Sequence, residues 1–376
     1  MFWEKEGKLI YSYDGETVCI EAWGKDALRV RVTKNRSFTG RDWALEAKDA
    51  HAGEVEIFED PSAKGGAFAN MYEGTDTSYG KITNGKLHAV IDSGSVITFY
   101  HEDGRVLLKE HFRRLRDEES MPLNIMGREY SNGVGDNFRI VTRFVARKGE
   151  KIFGMGQYQQ HELDLKGCML ELAQRNSQVS VPFYLSSIGY GFLWNNPGVG
   201  QVMFANNGTE WVTESGKEID YLVIAGDTPA EIEENYMTLT GKPPMMPEYG
   251  MGFWQCKLRY WNQEQLLSVA RKYKELGVPL DVIVVDFFHW TKQGEFKFDP
   301  KYWPDVPGMC RELKEMGIQV VVSVWPTVDI YSENFEEMKE KGYLVRTEHG
   351  VPLTMLCGGN EVFFDATNPD ARTYVW

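Results

Sequence analysis

The chain has 376 residues, in which 41 Lys and Arg stand against 55 Asp and Glu, so its formal net charge is −14. This negative balance argues against a nucleic-acid partner, because a phosphate backbone would be repelled. The length exceeds one ordinary domain and suffices for two hydrophobic cores, so two domains are expected.

Residues 8 to about 223 predict antiparallel strands. Short apolar or alternating runs are broken there by Gly, Asn and Asp, as in KLIYSYDGETVCIEAW and ALRVRVTK. Such alternation is typical of strands with one buried face. The pair Asp103-Gly104 lies between two of these runs and favours a hairpin turn. Residues 1–240 are therefore predicted to form a β-sandwich domain.

Two features of this domain allow a functional interpretation. Gly154 and Gly156 form a GxG step, but no GxxG continuation follows it, so a tight turn at a strand end explains it better than a nucleotide site. Gln174, Arg175 and Asn176 stand just before the strand VPFYLSS. Two interpretations of this loop stay open: a solvated loop, or a loop that reaches into the cleft of a neighbouring domain.

A helix and a linker are predicted to follow the sandwich. Asp227 or Thr228 can cap a helix that begins near Pro229, and acids follow in its first turn. Gly241 and the prolines behind it cannot continue the helix. The proline-rich stretch 241–248 is therefore the predicted linker between the two domains.

From Tyr249 onward the pattern changes to strands that alternate with helices. The predicted strands are YGMGFWQCK, PLDVIVVDFFHW, IQVVVSVWP and one more within EVFFDATNPDARTYVW, and the predicted helices include 263–276, 308–316 and 333–341. Repeated βα units with short links predict a parallel sheet with right-handed crossovers, and the pattern alone leaves a barrel or a doubly wound sheet open. About three and a half units are present where a closed barrel needs eight, so we expect the chain to break off within this domain.

Polar and aromatic side chains follow each predicted parallel strand. In a barrel these strand ends meet at one rim, where function sits. The residues concerned are Lys257, Arg259 and Tyr260 after the first strand, Asp286, Phe287, Phe288 and Trp290 after the second, and Trp325 after the third. A carboxylate that accepts hydroxyl groups, cations that donate to others and indole faces suit a pyranose. The alternatives are a helix cap or structural salt bridge for Asp286 and core packing for Trp325.

Other chemistries find no support in the sequence. GxSxG, HExxH and GxxxxGK are absent and the seven histidines lack ligand spacing, so neither a metal site nor a catalytic triad is expected. The odd set of scattered cysteines predicts neither a disulfide framework nor a zinc site; it comprises Cys19, Cys168, Cys256, Cys310 and Cys357. The amino terminus lacks an apolar signal region and no run approaches the ~20 apolar residues of a membrane span. A cytoplasmic location without membrane contact is expected, unless an export signal preceded Met1.

Together these segments resemble glycoside hydrolase family 31, the retaining α-glycosidases that include α-glucosidases and α-xylosidases. The resemblance covers most of the chain and is carried by FGMGQ at 153–157, VPFY at 181–184, PxxPEYGMGFWQCKLRY at 244–260, VVDFFHW at 284–290, FKFDPKYWPDVPGM at 296–309, VVVSVWP at 320–326 and FDATNPDAR at 364–372. It implies an N-terminal galactose-mutarotase-like β-sandwich and a (β/α)8 TIM barrel, of which residues 249–376 would be the first part. It also implies that no cofactor is needed.

The resemblance assigns roles to individual residues. Asp286 would bind sugar hydroxyls in the −1 subsite without being the nucleophile. The pocket would be shaped by Phe287, Phe288, Trp290 and Trp325, with Lys257, Arg259 and Tyr260 near its rim and a sandwich loop containing Gln174 and Arg175 lining it. Asp299, Asp305 and Asp365 stand in contexts typical of caps and turns. The resemblance implies that the nucleophile lies on the next barrel strand and the acid/base further on, so that both catalytic aspartates would lie beyond Trp376 and this chain alone would be inactive.

The segment WQCKLRY is most similar in sequence to the α-xylosidase-type branch of the family. Relatives that cleave glucosides usually carry Arg-Trp-Gly-Tyr where this chain has Lys257-Leu258-Arg259-Tyr260, and Phe287 would crowd the hydroxymethyl group of a glucose. The expected activity is release of terminal α-D-xylose from an oligosaccharide. The alternatives are an α-glucosidase or transglycosylase of the same family and, in another class, a non-catalytic carbohydrate-binding protein. A homo-oligomer is compatible with the sequence.

Overall fold

The structure is a computed structural model, which describes residues 1–46, 49–59, 78–111, 126–347, 349–355 and 360–376. The chain divides into two compact units, Met1–Pro243 and Pro244–Trp376. The division falls within the proline-rich stretch, where missing amide hydrogens and fixed φ angles prevent a helix or a paired strand.

Antiparallel strands build the first unit. In chain order they are β1 (Phe2–Lys5), β2 (Lys8–Tyr13), β3 (Glu16–Trp23), β4 (Ala27–Thr33), β5 (Ala50–His51), β6 (Glu54–Glu59), β7 (Ser78–Asn84), β8 (Leu87–Ile91), β9 (Ile97–His101), β10 (Val106–Lys109), β11 (Arg128–Asn132), β12 (Phe138–Phe144), β13 (Ile152–Gln157), β14 (Met169–Leu172), β15 (Val179–Ser186), β16 (Tyr190–Trp194), β17 (Gly200–Ala205), β18 (Gly208–Gly216) and β19 (Ile219–Ala225). The described strands form three sheets, ordered β1-β2-β3-β4-β19-β16-β15-β13 with β5 beside β3, β10-β9-β8-β7-β6, and β11-β12-β18-β17-β14. The predicted β-rich sandwich domain is confirmed.

The core of the first unit lies beneath these sheets because alternate residues of each strand are apolar. In β4, Leu28 and Val30 are fully buried within one large cluster that also contains rings from β16, β18 and β19. Arg29 points to the opposite face of the strand. It is also fully buried, so β4 is covered on both faces.

Local sequence signals set the turns and the helix of this unit. Gly104 takes a φ of +86° in the predicted hairpin between β9 and β10. Helix α1 (Pro229–Thr240) begins where Thr228 Oγ1 accepts the Glu231 amide at 3.2 Å, and it ends at Gly241, whose φ is +94°. Both predictions are confirmed. Caps and tight turns can be predicted from the sequence because they depend on neighbouring residues alone.

The GxG step differs from its prediction. Gly154 and Gly156 lie inside β13 at a bulge opposite β15, with φ angles of +114° and +93°. A Cβ atom at Gly156 would meet the Val179 carbonyl oxygen at 2.2 Å. The predicted strand-end turn was wrong, since glycines inside a strand also mark a bulge where two backbones approach closely.

The second unit contains a parallel sheet with helical crossovers. Its described strands and α-helices are β20 (Trp254–Cys256), α2 (Gln263–Glu275), β21 (Val282–Val285), α3 (Val306–Glu315), β22 (Gln319–Val322), β23 (Thr327–Asp329), α4 (Phe335–Glu340), β24 (Glu361–Phe363) and α5 (Pro369–Val375). The first strand is shorter than predicted from Tyr249, because a 3₁₀ turn occupies Glu248–Met251. β20, β21 and β22 pair in parallel in that order. The predicted βα units around them are confirmed.

The last predicted strand of this series pairs differently. β24 forms an antiparallel pair with β23, and neither strand joins the parallel sheet within the described residues. Val328 and Val362 instead bury their side chains in a small cluster with Phe335 and Met338 of α4. The predicted strand and the helix after it are confirmed as β24 and α5, and only the expected parallel pairing was wrong.

Candidate functional site

The carboxyl ends of the three parallel strands lie at one edge of their sheet. Cys256 pairs in register with Val284, and Val285 pairs with Val322. The residues that follow each strand therefore begin at the same level. This edge is where the sequence predicts the functional side chains to converge.

Asp286 directly follows β21 and is half-buried. Its Oδ1 accepts the amide of Phe287 at 2.8 Å, and its Oδ2 lies 3.8 Å from Cys256 Sγ. Among the described residues, no Lys or Arg forms an ion pair with it, and the helix that comes next is capped by Asp305 instead. Asp286 is thus neither a salt bridge nor a helix cap in this part of the chain, and its carboxylate keeps acceptor capacity for a ligand.

Cys256 is a neighbour of Asp286 that the sequence interpretation missed. Its thiol is exposed at the end of β20. Partial burial, and then the charge of Asp286, raise the pKa of Cys256, so the thiol stays protonated and can act as a weak donor to that carboxylate. The sequence could have indicated Cys256, because it is the last residue of the strand that neighbours β21.

His289 supports the backbone behind Asp286. Its Nδ1 lies 3.1 Å from the Asp286 carbonyl oxygen, so it contacts the main chain rather than the carboxylate. Burial lowers the pKa of His289, which favours the neutral ring at neutral pH. The ring packs edge-on against half-buried Trp290, with centroids 4.6 Å apart. Both residues also line a cavity of about 240 Å³.

Three aromatic rings stand next to Asp286. Phe287 lies 4.3 Å from Phe288 and 5.6 Å from Trp325, measured between ring centroids. Trp325 is only half-buried, and Phe288 is 50% exposed in a left-handed backbone conformation with φ +64°. These rings give the carboxylate an apolar border that solvent reaches.

Arg259 is held between two aromatic faces. Its guanidinium carbon lies 3.8 Å from the ring centroid of Trp261 and 5.0 Å from that of Phe288. Its Nε is buried and has no hydrogen-bond partner in the described parts of the chain. Trp261 is 59% exposed and was missed by the sequence interpretation, although it stands two residues after Arg259. The stack presents a cation and an indole face together.

Lys257 and Tyr260, predicted at the same rim, have different surroundings. Lys257 is exposed beyond the end of β20. Tyr260 is 4% exposed and packs in the core with Leu266 and Ile283. It stands two residues before Asn262, the N-cap of α2, and so packs with the apolar face of that helix. A place for Tyr260 near the rim of a sugar site stays a prediction.

Gln174 and Arg175 belong to the first unit, between β14 and β15. Gln174 exchanges two hydrogen bonds with the backbone of Ser180, at 2.8 and 3.0 Å. Arg175 pairs with Glu171 at 2.6 Å, and both side chains are exposed. These contacts close the hairpin locally. The role of this loop at a neighbouring domain's cleft stays a prediction.

The other acids of the second unit have local structural partners. Asp305 Oδ1 accepts the amide of Gly308 at 2.8 Å, Asp299 Oδ1 that of Lys301 at 2.9 Å, and Asp365 Oδ1 that of Thr367 at 2.9 Å. Their interpretation as caps and turns is confirmed. In the described ranges no group of three or more His, Cys, Asp or Glu side chains could hold a metal ion.

Two further observations bear on the chain as a whole. None of its described helices has the length and apolarity that crossing a membrane requires. Cys19, Cys168, Cys256 and Cys310 are free thiols, whereas Cys357 lies outside the described residues.

Both units match known protein families. The family model for the glycosyl hydrolases family 31 TIM-barrel domain matches residues 243–376, and that for the glycosyl hydrolase 31 N-terminal galactose mutarotase-like domain matches residues 17–202. The second unit is therefore part of a TIM barrel, and the first is a mutarotase-like sandwich.

Individual relatives agree with these matches. An uncharacterized family 31 glucosidase from Pseudescherichia vulneris is 42% identical over 99% of this chain and 69% of its own length. Alpha-xylosidase A from Aspergillus niger is 29% identical over 96% of this chain and 49% of its length. The crystal structure of a soil-metagenome GH31 alpha-xylosidase complexed with xylose has a TM-score of 0.89 and 46% identity over all of this chain and 54% of its own. The chain thus spans about half the length of the last two.

Proposed function

The chain belongs to glycoside hydrolase family 31, and on that premise we propose that the full-length protein is a retaining exo-α-glycosidase that releases terminal α-D-xylose from oligosaccharides. One observation carries the proposal: Asp286, without a cation partner among the described residues, is followed by the half-buried ring of Phe287 and the exposed ring of Phe288, and half-buried Trp325 packs beside Phe287. The xylose bound to the similar metagenomic structure supports the choice of sugar.

Asp286 holds the substrate in this proposal. An ionised carboxylate accepts hydrogen bonds from two neighbouring sugar hydroxyls, and such charge-assisted bonds are stronger than neutral ones. The thiol of Cys256, 3.8 Å away, is the only described side-chain donor near Oδ2 and competes weakly with a hydroxyl. The rings beside it suit the C–H face of a pyranose.

The bond-breaking step needs other carboxylates. A retaining mechanism uses two carboxyl groups about 5–5.5 Å apart, one as nucleophile and one as acid and base. The acids at 299, 305 and 365 bond to turn and cap amides, and we assign neither role to them or to Asp286. We propose that both catalytic residues belong to the chain segments that follow Trp376.

Preference for xylose over glucose is proposed from the packing of Phe287. Phe288 and Trp325 flank its ring at 4.3 and 5.6 Å, which restricts its movement. Glucose carries a hydroxymethyl group that xylose lacks, and this group needs space near the ring. The competing candidate is an α-glucosidase, which the name of the Pseudescherichia relative, a family 31 glucosidase, favours. The free cysteines suit a reducing compartment, and we propose a cytoplasmic location.

A panel of aryl α-glycosides tests the proposal on the full-length protein. We expect kcat/KM for the α-xyloside to exceed that for the α-glucoside by roughly tenfold or more, since one misfitting carbon substituent is worth about 1–3 kcal/mol. The matched β-xyloside is the control and should not be cleaved. A preference for the glucoside would favour the competing enzyme, and binding of xylose without hydrolysis of any glycoside would favour a carbohydrate-binding protein.

A further inference from the structure

Trp43, in the first unit, is an exposed indole on a tightly held loop. Buried Arg29 donates to Asp42 Oδ1 at 2.8 Å and to the Arg41 carbonyl oxygen at 2.9 Å. Buried Asn195 donates to the Asp42 carbonyl oxygen at 3.2 Å and accepts the Ala44 amide at 3.3 Å. The residues on both sides of Trp43 are thus fixed by side chains from beneath the loop.

The backbone of Trp43 is strained. Its φ is +52°, in the left-handed region that costs a residue with a Cβ atom roughly 1–2 kcal/mol. A buried ring could offset this cost by packing, but this indole is 48% exposed. The Arg41 guanidinium carbon lies 5.9 Å from the ring centroid, and about half of the indole still faces solvent. Strain maintained at a ring that is half exposed points to a ligand-binding role for the side chain.

Trp43 lines a groove of about 720 Å³ in the first unit. This volume is within the range of about 300–1,000 Å³ that small-molecule sites occupy. The lining includes the buried residues Asn195, Glu218 and Asp220, which are at most 4% exposed. Glu218 accepts hydrogen bonds from the amide and the hydroxyl of Thr39, both at 2.9 Å, so this part of the lining is fixed as well. The groove is therefore preformed.

The lining of the groove indicates a neutral, polyhydroxylated ligand. Its charges balance, with Arg36, Arg41 and Lys217 against Asp136, Glu218 and Asp220. A nucleotide or another strongly charged ligand would need an excess of one sign. The lining also contains the amides of Asn35 and Asn196, the hydroxyl of Ser37 and the rings of Phe38 and Trp43. Hydrogen-bonding groups together with aromatic faces fit sugar hydroxyls and the C–H faces of sugar rings.

We propose that this groove binds a segment of a neutral oligosaccharide, with the Trp43 indole as its stacking platform. The site is built from residues of the first unit alone. It adds oligosaccharide binding to the hydrolysis proposed above and does not depend on it. A chain held at one site raises its effective concentration at any other site that the chain can reach.

Isothermal titration calorimetry of the full-length protein with cellotetraose tests this site, because an α-glycosidase does not cleave β linkages. Trp43→Gly removes the indole and also relieves the strain of the left-handed backbone, because glycine adopts this conformation readily. We expect it to weaken cellotetraose binding at least roughly tenfold while its thermal midpoint is unchanged or higher. Trp43→Phe, which keeps a ring, should retain part of the affinity.

Two controls separate this site from the rest of the protein. Trp3→Ala removes another exposed indole of the first unit, 37% exposed on β1, and should bind cellotetraose like the wild type. Asp286→Asn should also bind like the wild type, so failure of the proposed hydrolysis would leave this result intact. The proposal is overturned if the wild type does not bind cellotetraose, if Trp43→Gly binds it equally well, or if Asp286→Asn abolishes the binding.

Discussion

Several large rings of the first unit pack against one another beneath the sheets, and Tyr184, Trp194 and Trp211 are each at most 1% exposed. In the second unit two rings that follow the parallel strands face solvent, with Trp261 59% and Phe288 50% exposed. Burying a large ring stabilises the folded state by about 1.5–3 kcal/mol, and an exposed ring does not make this contribution. The buried rings therefore account for stability, and the exposed ones remain available to a ligand.

Charged groups divide the two units in the same way. Arg29 and Asp220 form a fully buried bidentate pair in the first unit, at 2.9 and 2.7 Å. In the second unit Asp286 and Arg259 form no ion pair within the described ranges, and the Arg259 guanidinium lies against the rings of Trp261 and Phe288. Pairing satisfies a buried charge, whereas an unpaired charge at a strand end can bind substrate.

The largest effect is expected from breaking the buried pair. Arg29→Ala leaves Asp220 buried without its partner and should lower the free energy of unfolding by about 3–5 kcal/mol. Arg139→Ala is the matched control, because Arg139 pairs with Glu214 at an exposed site. This substitution should change the free energy of unfolding by less than about 1 kcal/mol. Urea denaturation measures both. Equal effects of the two variants would contradict the distinction between buried and exposed pairs.

The same pair predicts a pH dependence of stability. Burial raises the pKa of Asp220 from 3.8 to about 6, although Arg29 opposes the shift. Since the folded state then binds a proton that the unfolded state lacks, lowering the pH from about 6 towards 4 favours folding through this group.

Asp220→Asn cannot titrate and provides the comparison. The wild type should gain stability relative to this variant when the pH is lowered from about 7.5 to about 4.5, measured as the difference between their urea midpoints. A difference that stays constant, or that moves in the opposite direction, would show that Asp220 remains ionised in the folded state.

A smaller effect, on activity rather than stability, is expected at Asp286. Asp286→Asn keeps the size of the side chain but removes a charged acceptor, whose hydrogen bonds are worth about 1.5–3 kcal/mol, so kcat/KM for an aryl α-xyloside should fall roughly 10- to 150-fold. The thermal midpoint should stay close to that of the wild type, because no described side chain depends on this carboxylate for an ion pair. A stability loss without a change in kcat/KM would assign Asp286 a structural role.

The smallest effect is expected at Trp261. Trp261→Ala removes the ring against which Arg259 stacks, a contact worth about 0.5–1 kcal/mol at an exposed site, so KM should rise a few-fold with little change in kcat. Trp3→Ala again serves as the control for loss of an exposed indole. An unchanged KM would remove the Arg259 stack from the substrate site.

Local signals made part of this fold predictable. The residues Thr228, Pro229 and Gly241 mark the ends of α1 because capping depends on immediate neighbours. The apolar run before Asp286 marks β21, and its abrupt end marks the functional edge of the sheet. The antiparallel pairing of β24 could not be predicted, since the partner of a short strand depends on distant packing.

The candidate site was predictable to a similar degree. Strand ends indicated Asp286, Phe287 and Phe288, because parallel strands bring their carboxyl ends together. The stack of Arg259 on Trp261 and the burial of Tyr260 depend on side-chain packing in three dimensions, and the order of residues in one segment does not reveal them.

The most direct test of the central claim is a crystal structure of the full-length protein with bound xylose. We expect the sugar hydroxyls within hydrogen-bonding distance of Asp286, at roughly 2.5–3.0 Å between oxygens, and the sugar ring against Phe287 and Trp325. Xylose bound elsewhere, with Asp286 in contact only with solvent, would contradict the account.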